Sequence, residues 1–263
     1  MIKLIIIYTT SLMLVGIQQA RSDSIALFFA LDQDLAALRS SGSDAVPLLH
    51  VGGTQIARLS VGPHVVYATQ MGSGCVDAAL AAESLLARFR CDRAVSIGPA
   101  GDLTGRLDIG AWYPVGRILA WQRLGDEGGD VRGAQWDAEA GPFPGVPAGS
   151  VQQATSAVAL ISGEAFIASA AERDELATRW QAELVDMNAF GVAAACRHHD
   201  VPLRVWRVVS DHADEDAQRS FREFVTAYDG AGGRAVAEWI RGLPPNPEAA
   251  SSYEGLRALM GGG

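Results

Sequence analysis

Short apolar runs recur along this chain, and most are too continuous to be half-exposed strands. Ser24–Phe29, Ala94–Ile97, Ala157–Ile161 and Leu203–Val209 read as strands buried on both faces, the last interrupted only by Arg204 and Arg207. Gln55–Leu59 and His64–Thr69 have strand character around a Gly62-Pro63 turn, a brief apolar stretch lies at Val46–Leu49, and Ala111–Leu119 resumes the pattern. Between these runs the spacing is helical: Leu35–Leu38, an alanine-rich Val76–Phe89 opened by Gly72-Ser73-Gly74, Glu172–Trp180, Ala189–His199, Ala217–Tyr228 and Gly233–Ile240. Gly98–Leu103 reads as a tight turn. Alternation of helices with buried strands predicts an α/β fold around a central sheet, with functional residues at strand ends and in the loops that follow.

Composition narrows the picture. The chain has 263 residues, 49% of them apolar, which suits one large core and a single domain from 23 to 243. Residues 122–150 are rich in glycine and proline and are long for a plain connection; they read as a lid or partner-contact loop. The tail 244–263 is rich in Pro, Ser and Gly and reads as loosely held. A net charge of −9 argues against a nucleic-acid partner. The three cysteines fit neither a zinc pattern nor a disulfide framework, and the five histidines form no metal motif.

The first 22 residues read as a signal peptide. Lys3 precedes the apolar run Leu4–Gly16, which is too short to span a bilayer, and Ala20-Arg21-Ser22 offers small residues for cleavage before Asp23. The expected localisation is periplasmic or secreted, with no membrane span in the mature chain. The alternative is a cytoplasmic protein whose start is misassigned or whose first run is a buried strand.

The candidate chemistry lies at strand ends. Asp211 closes an apolar strand, where partial burial raises a carboxyl pKa and suits a general acid; a helix cap is the other reading. Asp34 follows the first strand and suits either a water-activating base or a solvated first-turn acid. Gly74 and Gly98 sit in glycine-bearing segments that let backbone N–H groups approach a ligand, or are ordinary turns. Phe166 and Met187 are of types that pack against a purine and a sugar, and equally of types that fill cores.

In sequence order these segments resemble the nucleoside phosphorylase superfamily, in its methylthioadenosine/S-adenosylhomocysteine nucleosidase branch. The likeness rests on Ala30–Asp34, Gly72–Gly74, Gly98–Leu103 with Asp108–Gly110, Pro144–Ala148, Ser162–Ile167, Val185–Ala189 and Ser210-Asp211 through Phe221, within Ile25–Leu243. The resemblance implies a three-layer α/β/α sandwich with a central mixed sheet and a homodimer. It also implies hydrolysis of the N-glycosidic bond of an adenine-type purine nucleoside, without metal or cofactor. By the same resemblance Asp211 is the purine-directed acid and Asp34 the base. Phe166, Ile167 and Ser210 serve the base, Met187 and Asn188 the ribose, and Phe221 the far end of the substrate.

Three positions depart from the pattern. Asp34 stands where the family has a catalytic glutamate, Pro99 where it has serine or threonine, and Asn188 where a glutamate grips the ribose. A neutral amide stabilises a cationic sugar less well than a carboxylate. Two alternatives follow: a noncatalytic nucleoside-binding or storage homologue, and a purine nucleoside phosphorylase. Against the latter, Ser96 occupies the place of an arginine in the hexameric phosphorylases.

Overall fold

The computed structural model describes residues 22–41, 46–51, 53–122, 135–138 and 157–244. The expected leader up to residue 21, most of the 122–150 loop with its Pro144–Ala148 segment, and the tail from residue 245 lie outside these residues. Ser22–Pro244 forms one compact unit.

Each apolar run became a strand of one mixed sheet. The strands are β1 (Ser24–Phe29), β2 (Val46–Val51), β3 (Thr54–Val61), β4 (His64–Gln70), β5 (Arg93–Asp102), β6 (Trp112–Ala120), β7 (Gln135–Asp137), β8 (Val158–Ser162), β9 (Leu184–Asp186) and β10 (Leu203–Asp211). The helices are α1 (Asp32–Ser40), α2 (Cys75–Leu86), α3 (Ala170–Trp180), α4 (Ala189–His198), α5 (Ala217–Ala227) and α6 (Ala231–Arg241). The neighbours run β10-β6-β8-β9-β5-β1-β4-β3-β2, with β7 on β6. A further parallel pairing of β10 with β5 closes one end of the sheet on itself.

Period-two alternation explains the layers. On β1, Ala26 and Phe28 join a core with α2 and α4, while Ile25, Leu27 and Phe29 join another with α1 and α6. On β10, Val205 and Val209 face the first core and Trp206 and Val208 the second. Both faces of the sheet are therefore covered, and the three-layer α/β/α expectation holds.

One local expectation fails. Gly98–Leu103 is not a turn, because β5 continues through Asp102. The glycines serve close strand packing: a Cβ on Gly98 would come 2.8 Å from Ala30 Cβ, and one on Gly101 would come 3.0 Å from Asp211 Oδ1. The 122–150 stretch also contains a strand, since Gln135–Asp137 pairs antiparallel with β6.

Candidate active site

A cavity of about 300 Å³ opens where several strands end. Its wall is built from Ala30 and Leu31 after β1, Gly72 and Ser73 after β4, Pro99–Gly101 in β5, and Ala165–Ile167 after β8. Val185–Asn188 at the end of β9, Ser210 and Asp211 of β10, and Phe221 and Val225 of α5 complete it. Parallel strands leave a crevice at their carboxyl ends, and such volumes suit small ligands.

Asp211 is held in the wall of this cavity. The strand register shifts between Val209 and Asp211, which turns the carboxylate inward. Its Oδ2 lies 2.8 Å from the Ser210 hydroxyl, which is also 3.2 Å from the Ala100 carbonyl, and its Oδ1 accepts from the Ala213 N–H at 3.0 Å. Burial raises its pKa above the ordinary carboxylate value, opposed by these hydrogen bonds and by His212. Beside it, the Phe166 and Phe221 rings meet edge to face at 5.8 Å. Aromatic rings next to a carboxyl of raised pKa can hold a heteroaromatic ring and protonate one of its nitrogens.

A second polar cluster reaches the cavity wall through Asp186 and Asn188. Asp186 takes hydrogen bonds from the Ser162 hydroxyl and the N–H groups of Asn188 and Ala189, and its Oδ2 pairs with Arg207 Nε at 2.8 Å. Arg207 is fully buried and also donates to the Trp206 carbonyl (3.0 Å), Ser96 Oγ (3.1 Å) and Asn188 Oδ1 (3.3 Å). Asp186 and Asp211 are the two titratable side chains among the lining residues, and Asp186 is committed to its partners. One group of described residues has metal-ligand proximity, Glu83 with His198 and His199, and it does not line the cavity.

Phe166, Ile167, Met187, Asn188, Ser210, Asp211 and Phe221 all line the cavity, but three expected residues do not. Asp34 is fully buried between α1 and α6, where its Oδ1 accepts from the Tyr228 hydroxyl at 2.6 Å and the Gly233 N–H at 2.9 Å. Gly74 precedes α2 with φ +113°, and a Cβ there would collide with Glu164 Oε2 at 2.3 Å, so the glycine admits that carboxylate, which accepts from Val76 N–H. Gly98 packs on Ala30, leaving Gly101 as the glycine that borders the cavity beside Asp211.

Comparison with known proteins places these features. A family model described as the phosphorylase superfamily matches residues 24–241. The chain belongs to this superfamily. A 5'-methylthioadenosine/S-adenosylhomocysteine nucleosidase of Staphylococcus saprophyticus is 26% identical over 218 residues, covering 76% of this chain and 92% of that one. The crystal structure of such a nucleosidase from Colwellia psychrerythraea, in complex with adenine, superposes with a TM-score of 0.73 at 21% identity, over 86% of this chain and 98% of that one. The futalosine hydrolase of Helicobacter pylori gives 0.68 at 19% identity, over 83% and 96%.

Arg207 and Asp186 form a buried ion pair at the cavity wall, a feature that the motifs did not point to. The signal was present: an arginine inside an otherwise apolar strand needs a buried counter-charge. Asp186 is the one acid of the Val185–Ala189 segment.

Proposed function

We propose that this chain is a purine nucleosidase that hydrolyses the N-glycosidic bond of an adenine-type nucleoside, of the methylthioadenosine/S-adenosylhomocysteine kind. The observation that carries the reading is Asp211: a buried carboxyl of raised pKa that lines one cavity with the Phe166 and Phe221 rings and the polar Asn188. The adenine-bound relative and the nucleosidase names of several relatives support it.

In this reading the purine lies against Phe166 and Ile167, and the sugar lies toward Met187 and Asn188. Asp211 gives its proton to a ring nitrogen as the glycosidic C–N bond breaks, and the base leaves neutral. The sugar carbon takes positive charge and is captured by water, whose proton is returned to the Asp211 carboxylate through solvent. Atoms balance as nucleoside plus water giving free base plus sugar. Asp34 acts as a packing residue that ties α1 to Tyr228 and α6. Among the described residues no uncommitted carboxylate lines the cavity near Met187 and Asn188, which favours a second reading, a nucleoside-binding homologue without turnover. Incubating the purified chain with adenine nucleosides in phosphate-free buffer separates the two: the nucleosidase releases free base, whereas the binder shows calorimetric heat and no base.

The chain acts, in this proposal, as a homodimer through α2. Val76 and Leu80 are one turn apart and 63% and 61% exposed, beside a largely apolar depression lined by Cys75, Ala79 and Phe190. Light scattering should give twice the 27.7 kDa chain mass, or that of its processed form, and Leu80→Asp should return the monomer. Export to the periplasm rests on the Lys3 to Ser22 segment, and N-terminal sequencing of the exported chain tests it; among the described residues no helix is long and apolar enough to cross a membrane.

A further inference from the structure

The Asn188 amide has a fixed orientation, and the group left facing the cavity is a donor. Arg207 Nη2 lies 3.3 Å from Asn188 Oδ1. A guanidinium carries donors and no acceptor, so the amide oxygen must face it and the NH₂ must point away. Arg207 cannot turn to release this constraint. It is fully buried and fixed by Asp186, the Trp206 carbonyl and Ser96. The Asn188 side chain does not cap α4, although the residue precedes that helix. Among the described residues nothing accepts from Asn188 Nδ2, and Asn188 is 9% exposed while lining the cavity.

We infer that Asn188 is a specificity-determining donor: the site recognises a sugar oxygen as a hydrogen-bond acceptor and does not require that oxygen to carry a proton. The favoured ligand class is therefore nucleosides whose 2′ or 3′ substituent accepts a hydrogen bond, including sugars alkylated or otherwise substituted at that oxygen. A carboxylate at this position would impose the opposite rule, since it only accepts and so demands a protonated hydroxyl. This inference rests on the reading of the cavity as a purine nucleoside site.

Calorimetric titration of adenosine and of its 2′- and 3′-deoxy and deoxyfluoro analogues tests it, with Asp211→Asn present to stop turnover. Fluorine accepts and cannot donate, and it is close to a hydroxyl in size. At one of the two carbons the fluoro analogue should bind at least about threefold tighter than the deoxy analogue. Adding Asn188→Asp should invert that order, shifting the fluoro-to-deoxy ratio by about tenfold or more. Sugar pucker is a property of the analogue and cancels in the change of the fluoro-to-deoxy ratio between the two chains, so that change decides. If Asn188→Asp does not fold, Asn188→Ala takes its place and should abolish the fluoro preference seen with Asn188. Adenosine binding with a fluoro-to-deoxy ratio that is unchanged at both carbons when Asn188 is substituted overturns the donor assignment alone. No binding of adenosine or adenine overturns the nucleoside-site reading and the inference with it.

Discussion

Replacing Asp34 with asparagine separates a catalytic carboxylate from a structural one. Burial raises the Asp34 pKa from 3.8 to about 6, against the opposing hydrogen bonds from Tyr228 and Gly233. A carboxyl whose folded pKa exceeds its unfolded value holds its proton more tightly in the folded chain. Its stabilising contribution is complete below the unfolded value of 3.8 and is lost as pH rises through about 6. A gap of about two pKa units corresponds to roughly 3 kcal/mol. Asparagine keeps the oxygen that accepts from Tyr228 and Gly233 and does not titrate. Urea unfolding at two pH values, one below 4 and one above 7, should therefore show the wild-type chain losing roughly 3 kcal/mol more than Asp34→Asn across that interval. Base release by Asp34→Asn should remain within about threefold of wild type, because the carboxylate lies outside the cavity wall. Equal pH slopes in the two proteins would refute the linkage argument. A folded Asp34→Asn that loses base release by about a hundredfold or more would refute the structural role, and would mean that Asp34 reaches the sugar during turnover.

Other perturbations probe the cavity floor and the packing around it. Arg207→Leu leaves the Asp186 carboxylate buried without its counter-ion and should cost about 3–5 kcal/mol; differential scanning calorimetry should show a Tm lower by roughly 6 °C or more, partly restored by adding Asp186→Asn. Gly191→Ala would set a Cβ 2.0 Å from the Cys75 carbonyl oxygen at the contact between α2 and α4. Denaturant unfolding should show a loss of roughly 3 kcal/mol, since backbone atoms cannot step aside. The pH profile of kcat/KM should fall as pH rises through the Asp211 pKa, which lies above the ordinary carboxylate value, because a general acid works only in its protonated form.

The order and type of elements were legible because most strands are buried on both faces and so read as continuous apolar runs. The cavity wall was legible in part: the Ser162–Ile167, Val185–Ala189 and Ser210-Asp211 segments end strands whose carboxyl ends converge. Two kinds of information were not. Glycine marks both turns and close backbone packing, and composition does not distinguish them; hence the expected turn at Gly98–Leu103 is the second half of β5. Position after a strand says that a carboxylate sits near a sheet end and not which way it faces. Asp34 lies in the first turn of α1, which packs on α6, so Tyr228 and Gly233, far away in the chain, decide its direction. The Asn188 orientation was likewise unreadable, because it depends on a third residue, Arg207, fixed by a fourth, Asp186.

The central claim is that Asp211 protonates a purine as its glycosidic bond breaks. Chromatography of the products formed from adenosine, methylthioadenosine and S-adenosylhomocysteine in phosphate-free buffer tests it most directly, with wild type and Asp211→Asn run side by side. The account predicts free adenine from the wild-type chain with at least one of these nucleosides, and about a hundredfold less or none from Asp211→Asn at unchanged folding stability. No free adenine from the wild-type chain, or equal release from both proteins, would contradict it.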